Sequence, residues 1–173
     1  MTKAAYASAM EALYVACIVV SGVSLVVITL IIPYGVFMRY VVNAPASWPE
    51  PAAVLLMIVF SFIGGAAVYR ANVHMAVQAL LDAVAPGVRR VLLRMVDVAM
   101  TLTALFMLVY GVQLVRTTWH QVISEFPLLS VGVTYLPLPV AGALTLLFIL
   151  ERVWVGAPPS TSVMFSDQAV AAE

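Results

Sequence analysis

Few side chains in this sequence are of a type that binds a metal or acts as a nucleophile. The chain contains two histidines, His74 and His120, and a single cysteine, Cys17. In the topology derived below, the two histidines lie on opposite sides of a membrane, so they cannot share a zinc ion or a haem. The sequence contains no HExxH motif, P-loop or glycine-rich nucleotide fingerprint. We therefore predict no catalytic, cofactor-binding or metal-binding residue, and we interpret Cys17 as a small buried apolar side chain.

Charged side chains, the other source of chemistry, are scarce. Of the 173 residues, 64% are hydrophobic and 9% charged, and the mean hydropathy is +1.10. A soluble domain carries about 25% charged residues, so a soluble protein of this composition would lack the polar residues to cover its surface. Eight basic residues balance eight acidic ones, which excludes a basic surface for nucleic acid. The composition indicates a protein embedded in lipid, with no nucleic-acid partner.

Four windows without charged residues locate the elements of the fold. A bilayer core about 30 Å thick is crossed by roughly 20 apolar helical residues. We predict spans at about residues 12–35, 50–69, 97–116 and 133–151. These segments lack the short alternating pattern of barrel strands. We therefore expect an all-α integral membrane protein with four transmembrane helices, formed by one domain over residues 1–155 and followed by a flexible tail over residues 156–173.

The distribution of basic residues predicts the orientation of the chain. One side of the predicted topology holds Lys3, Arg70, Arg89, Arg90, Arg94 and Arg152, and the other side holds Arg39 and Arg116. Because short cytoplasmic loops carry an excess of Lys and Arg, we expect both termini in the cytoplasm. The first span is longer than a signal-peptide core and follows Glu11, so we interpret it as a retained anchor. No ionisable residue lies near the middle of a predicted span, which argues against a coupling site there.

The connection between the second and third spans, at about residues 70–94, has the pattern of an amphipathic helix. Its apolar residues recur at helical spacing, whereas His74, Gln78 and Asp82 form a separate stripe. We predict a helix in the membrane plane, broken at Pro86-Gly87, with His74 as an interfacial hydrogen-bonding residue. The residues expected to meet anionic lipid headgroups are Arg89, Arg90 and Arg94. Asp97 is expected to pair with Arg94, three residues earlier.

The loop between the first two spans reads RYVVNAPASWPEP. Ser47 and Glu50 have the spacing of a capping box for the second helix. Arg39 is expected to snorkel towards headgroups, and Tyr40 and Trp48 suit an aromatic belt at the interface. The alternative interpretation is that Arg39, Trp48 and Glu50 form an outward-facing contact with a partner. In the second span, a small-residue patch that includes Gly64 and Gly65 predicts close helix packing.

Several short motifs occur in a fixed order along the chain. Arg39-Tyr40 ends the first helix, Trp48 and Glu50 open the second, residues 62–70 read FIGGAAVYR, and His74-Met-Ala-Val follows. Tyr110-Gly111 and Tyr135-Leu-Pro137 occur later. This arrangement, over roughly residues 10 to 153, resembles the small membrane subunit (DctQ-type) of tripartite ATP-independent periplasmic (TRAP) transporters. Two positions depart from that family: Pro51 stands where many members have a second acid, and Gln78 where many have Asp.

The resemblance implies a role that depends on partners. It implies a complex in the bacterial inner membrane with a large multi-spanning TRAP subunit, which holds the substrate and sodium sites, and a periplasmic substrate-binding protein that delivers an organic acid. This chain would be the non-catalytic scaffold in that sodium-driven importer, in contact with membrane lipids. The candidate partner-contact residues are Arg39, Tyr40, Trp48, Glu50, Gly64, Gly65, Arg70 and His74.

Two other classes of small four-helix membrane protein remain as alternatives. An autonomous multidrug exporter needs an intramembrane carboxylate to couple protons, and Glu11 is the nearest candidate. A membrane enzyme of the glutathione-transferase type would require several basic side chains around one pocket. Arg70, Arg89, Arg90 and Arg94 would have to supply such a pocket.

Overall fold

The computed structural model describes residues 3–71 and 86–156. In that part of the chain the elements are α1 (Lys3–Tyr40), α2 (Pro49–Arg70), α3 (Pro86–Thr118), β1 (Val122–Ile123), β2 (Phe126–Ser130), α4 (Val131–Tyr135) and α5 (Pro137–Trp154). Helices α1, α2, α3 and the α4–α5 segment are long and apolar enough to cross a membrane. The prediction of a helical protein with four segments long and apolar enough to span a membrane is therefore confirmed.

The long helices stand in a row. Helix α2 packs against α1 on one side and α5 on the other, α5 in turn packs against α3, and α1 also contacts α5. The outer helices α1 and α3 expose many large apolar side chains, as expected where a surface meets lipid rather than water. The buried core lies between α1, α2 and α5 and contains Tyr14, Cys17, Ile63, Ala66, Tyr69 and Phe148. Cys17 is buried, as its small apolar character predicts.

Helix α1 is longer than the span predicted from its apolar window. Its 38 residues correspond to about 57 Å at 1.5 Å per residue, against a bilayer core of about 30 Å. The helix continues through Pro33 and ends at Tyr40. Three residues later Asn43 adopts a φ of 55°, a left-handed conformation that asparagine tolerates. The Ala44 N–H then donates to the Met38 carbonyl at 3.1 Å, which satisfies one of the free carbonyls at the helix end.

The expected capping box of α2 is not formed. The N-cap residue is Trp48, without a side-chain cap hydrogen bond, so the helix begins one residue later than the Ser47–Glu50 spacing predicts. Pro51 then occupies the third helical position, where it has no N–H for a cap to accept. Pro49 is fully buried and packs closely on Gly35 of α1, where a Cβ would lie 3.1 Å from the proline Cβ. A proline contact, rather than a capping box, fixes the start of α2.

Helix α3 begins at Pro86, which corrects the predicted boundary of the amphipathic connection. Residues 86–94 form the first turns of a 33-residue helix that continues to Thr118. Proline is favourable in a first helical turn, so Pro86 is compatible with the start of this helix. Asp97 does not pair with Arg94; its carboxylate contacts Tyr69 and Arg152 instead. Residues 72–85 of the connection predicted over about 70–94, which include His74, and residues 157–173 of the predicted tail lie outside the described residues.

Helices α3 and α5 approach closely at two glycines. A Cβ on Gly142 would lie 2.8 Å from the Ala104 carbonyl oxygen, and one on Gly111 would lie 2.9 Å from the Pro139 ring. Between these helices the chain forms an antiparallel hairpin of β1 and β2, which the apolar character of the segment did not predict. Ser130 then caps α4 by accepting from the Gly132 N–H at 3.0 Å.

Candidate functional site

The end of α2 carries a cation that the fold buries. Arg70 is the last residue of α2, where a positive charge interacts favourably with the helix dipole. Its side chain is only 4% exposed, because the adjacent ends of α1 and α5 cover it. Two carboxylates, Glu11 of α1 and Glu151 of α5, lie at the same level. We call this end of the helix row the terminal end.

The guanidinium of Arg70 is engaged on three of its nitrogen atoms. Nε donates to Glu151 Oε2 at 2.7 Å and Nη2 to Glu151 Oε1 at 2.8 Å, which is a two-point contact between two nearly fully buried groups. Nη1 donates to Glu11 Oε2 at 2.6 Å. The Glu11 side chain is 41% exposed, so this second pair is open to its surroundings. Arg70 thereby joins α1, α2 and α5.

Aromatic rings complete the environment of Arg70. Its Cζ lies 5.0 Å from the centre of the Tyr14 ring and 5.7 Å from that of Phe148, within the range of cation–π attraction. Both rings are among the fully buried side chains of the core. They help to exclude solvent from the Arg70–Glu151 pair, which strengthens that charge–charge interaction.

A second set of polar contacts lies beside the first and reaches α3. Asp97 Oδ1 accepts from the Tyr69 hydroxyl at 3.4 Å and lies 3.4 Å from Arg152 Nη1. On the other side, the Tyr6 hydroxyl donates to the Leu147 carbonyl at 3.1 Å. We call Glu11, Arg70, Asp97, Glu151 and Arg152 the terminal-end cluster. Together these contacts connect all four long helices at one end.

At the opposite end, which we call the loop end, the predicted contact residues come together. Arg39 Nη2 donates to Glu50 Oε1 at 2.7 Å, and the Trp48 ring lies 5.8 Å from that of Tyr34. The side chains of Arg39 and Glu50 are 49% and 69% exposed. Tyr40 is more exposed still and lies beside this group in sequence. The pair joins α1 to α2, and both side chains remain substantially exposed.

The remaining predicted residues are dispersed. Gly64 lies against Ser21 of α1, whereas Gly65 is exposed. Arg89 and Arg94 are exposed on α3, Arg90 lies on the same helix, and His74 is outside the described residues. Arg70 is not on an open surface, because it is buried in the terminal-end cluster. Its guanidinium is therefore occupied by carboxylates rather than free to bind an anionic substrate.

Glu151 is the participant that the sequence analysis missed. Arg70 and Glu151 are 81 positions apart, and no motif links them. A signal was nevertheless present: Glu11, Arg70, Asp97 and Glu151 all flank predicted spans on one side of the membrane. Charged residues at the same depth on neighbouring helices are expected to pair, because lone charges there are costly. The contact of Arg70 with Glu11 and Glu151 agrees with this expectation.

The ion pairs at this site can hold the helices together. Among the described residues, the structure contains no group of three or more His, Cys, Asp or Glu side chains placed to hold a metal ion. In the terminal-end cluster, the carboxylates of Glu11 and Glu151 are directed to Arg70. One arginine faces two glutamates, so this part of the cluster carries one negative charge in excess.

The fold and its polar contacts define a helical membrane protein whose ionisable groups hold helix ends together. The profile of the DctQ component of tripartite ATP-independent periplasmic transporters matches residues 28–158, about three quarters of the chain. The chain therefore belongs to this family, as its motifs predicted, and is the small membrane component of a TRAP transporter. The matched segment includes Arg70 and Glu151, while Glu11 precedes it. Comparison with curated proteins gave no match.

Proposed function

We propose that this chain is the non-catalytic scaffold subunit of a sodium-driven, binding-protein-dependent importer of an organic acid. In this proposal the large membrane subunit binds substrate and sodium, and a periplasmic protein delivers the substrate. Membership of the DctQ family supports the tripartite organisation. The six-to-two distribution of basic residues supports an inner-membrane protein with both termini in the cytoplasm.

The observation that carries the scaffold proposal is the location of the ionisable side chains. Arg70 pairs with Glu11 and Glu151 at the terminal end of the helices. The sequence carries no charged residue between Glu11 and Arg39, or between Glu50 and Arg70. A transporter that moves its own substrate usually places ionisable groups or interrupted helices around a site near the membrane midplane. Ion pairs that join the ends of helices suit a subunit that stays rigid while another subunit of the transporter moves.

The loop end supplies the proposed contact with a partner. Arg39 and Glu50 present both signs of charge beside the aromatic ring of Trp48, all partly exposed. Tryptophan, tyrosine and arginine are enriched at protein contact surfaces, and the rims of such surfaces are polar. On the expected orientation this surface faces the periplasm, where the binding protein docks. Arg89 and Arg94, at the other end of the molecule, are proposed to meet anionic headgroups.

The test is reconstitution with and without the partners. Liposomes containing the large subunit, this chain and the binding protein should accumulate an organic acid when a sodium gradient is applied. Liposomes containing this chain alone should accumulate none. Sodium-dependent uptake by this chain alone would contradict the scaffold role. Proton-coupled drug efflux that is lost in Glu11→Gln would favour an exporter instead.

A further inference from the structure

The hairpin at the loop end of the molecule is irregular. Val122 pairs with Ser130, but the next residue, Ile123, pairs with Phe126. Residues 127–129 of β2 therefore have no partner on β1 and form a bulge, which we call the leucine bulge (Pro127-Leu128-Leu129). All three residues are exposed, and Leu128 is 100% exposed, so its side chain buries no area against the described chain. The leucine bulge thus presents apolar side chains outward.

Hydrogen bonds hold the hairpin to the end of α3. The Val131 N–H donates to the Gln121 carbonyl at 2.8 Å. The Ser130 hydroxyl donates to the Trp119 carbonyl. A Cβ on Gly132 would lie 2.9 Å from the Trp119 Cα, so the chain segments on either side of the hairpin are in close contact. The leucine bulge is therefore exposed on a hairpin whose position is determined by the ends of α3 and α4.

The depth of the hairpin follows from the lengths of α3 and the α4–α5 segment. Asp97 and Arg152 lie 3.4 Å apart and mark one end of these two elements. Nineteen residues, about 28 Å of helix, separate Asp97 from Arg116, which is close to the thickness of a bilayer core. The same number of residues before Arg152 is Val133, just after the hairpin. Residues 122–130 therefore lie beyond both apolar spans, at the level of the headgroup layer.

Neither lipid tails nor water alone suits this hairpin. Each of its two strands has one edge without a partner in the described sheet, and such edges need water or headgroups for their hydrogen bonds. In water, however, the side chains of Leu128 and Val122 would remain unburied. The boundary between headgroups and acyl chains supplies both kinds of contact. Trp119, half-exposed next to the hairpin, is of the residue type enriched at that boundary.

A soluble protein suits the leucine bulge less well than lipid does. A periplasmic protein that docks and departs would leave these leucines in water between encounters, whereas the bilayer always lies beside the ends of α3 and α4. The hairpin also offers little charge for a polar docking surface. Glu125, at the turn, is the one Asp, Glu, Lys or Arg between residues 117 and 150 of the sequence.

We propose that the hairpin is an interfacial anchor, with Leu128 and Leu129 inserted at the boundary between headgroups and acyl chains and Glu125 in water. Its partner is the lipid surface of the leaflet at the loop end. This inference goes beyond the scaffold function and needs only that α3 and the α4–α5 segment cross the membrane. An anchored hairpin fixes the depth of these two segments in the bilayer.

Spin labels measure the depth of the hairpin directly. Leu128→Cys and Glu125→Cys are each labelled with a nitroxide in a Cys17→Ala background of the full-length chain, in phosphatidylcholine nanodiscs with and without the large subunit. Oxygen concentrates in lipid and a nickel chelate stays in water, so the ratio of their collision rates with the label reports depth. This ratio should be at least about threefold higher at position 128 than at position 125, as expected for a side chain inserted about 5–10 Å.

Two results would overturn the anchor. Equal ratios at the two positions would place the leucine bulge in water. Protection of position 128 from both probes that appears only when the large subunit or the binding protein is added would assign the bulge to a protein contact. Either result leaves the scaffold proposal standing, because sodium-driven uptake tests that proposal separately.

Hydrogen exchange tests whether the lipid contact holds the hairpin in place. Leu128 buries no area within the described chain, so Leu128→Ser acts on the hairpin through its external contact. Exchange at residues 121–130 in nanodiscs should become at least about threefold faster in this variant. Glu125→Ser, the control at the exposed turn, should leave exchange unchanged. Unchanged exchange in Leu128→Ser would contradict the anchor.

Discussion

Arg70 and Glu151 face each other across the α2–α5 interface with two parallel hydrogen bonds of 2.7 and 2.8 Å, and both side chains are at least 96% buried. The planar guanidinium matches a carboxylate in this way, whereas an ammonium group does not. Such a pair fixes the rotation of one helix relative to the other as well as their separation. This two-point contact therefore joins two helices that are distant in sequence.

Removing the cation should destabilise the fold strongly. Arg70→Met leaves the buried Glu151 carboxylate without a partner, and breaking a buried pair in this way costs about 3–5 kcal/mol. We expect a loss of that size in the free energy of unfolding, measured by denaturant titration in mixed micelles. Arg39→Met is the control, because its pair with Glu50 is exposed and is expected to contribute at most about 1 kcal/mol. Equal losses in the two variants would contradict the importance given to Arg70.

The two carboxylates on Arg70 should not be equivalent. Glu151 uses both oxygens and is 3% exposed, whereas Glu11 uses one oxygen and is 41% exposed. Glu151→Gln should therefore lower the unfolding free energy by about 2–3 kcal/mol more than Glu11→Gln, since removing a buried partner is the costlier change. The measurement is unfolding of the isolated chain in micelles. A larger effect from Glu11→Gln would show that the exposed pair dominates.

Glycine at position 142 should be required for the contact between α3 and α5. The added Cβ in Gly142→Ala would lie 2.8 Å from the Ala104 carbonyl oxygen and 2.9 Å from the Leu108 nitrogen, so backbone must move. Overpacking of this kind costs about 1–3 kcal/mol. Gly22→Ala is the matched control, because its Cβ meets nothing within 4 Å and alanine is the better helix former. Thermal unfolding of both variants in detergent should show a lower midpoint for Gly142→Ala alone.

Reversal of the loop-end pair separates its structural role from partner contact. The double variant Arg39→Glu with Glu50→Arg restores the ion pair that joins α1 to α2 but exchanges the charges presented outward. We expect a loss of at most about 2 kcal/mol in stability, because each exchanged charge now opposes the dipole of its helix. Uptake by the reconstituted transporter should be about tenfold weaker, equivalent to about 1.4 kcal/mol. Wild-type uptake in the double variant, with loss in each single variant, would assign the pair a purely structural role.

The Ser130 hydroxyl should stabilise the turn that leads into α4. It accepts from the Gly132 N–H and donates to the Trp119 carbonyl, thereby joining the hairpin to the end of α3. Ser130→Ala is expected to cost about 1 kcal/mol, the usual contribution of a cap. Hydrogen exchange at residues 119–132 should become faster, while exchange in α2 stays unchanged. Ser130→Asp keeps the acceptor and should retain most of the protection.

The sequence was sufficient to predict the spans, because an apolar segment about 20 residues long and free of charge is the length that crosses a bilayer as a helix. It was not sufficient to predict the burial of Arg70. A cation at a helix end can either snorkel to water or pair with a carboxylate, and only packing distinguishes the two. The hairpin at residues 122–130 was missed because FPLLS has the composition of a span. The capping box is absent because α2 begins one residue later than the Ser47–Glu50 spacing requires, with Trp48 at the N-cap and the Glu50 carboxylate paired with Arg39.

The row of helices has a consequence for assembly. In a closed bundle the helices surround the core. A further helix can then pack only on the outside of the bundle, unless helices already in contact separate. A row has two broad faces and two free edges, formed here by α1 and α3. One face can be covered by another protein while the other stays against lipid, and no contact within the row has to open. A broad face of this chain can therefore become buried when a neighbouring protein packs against it.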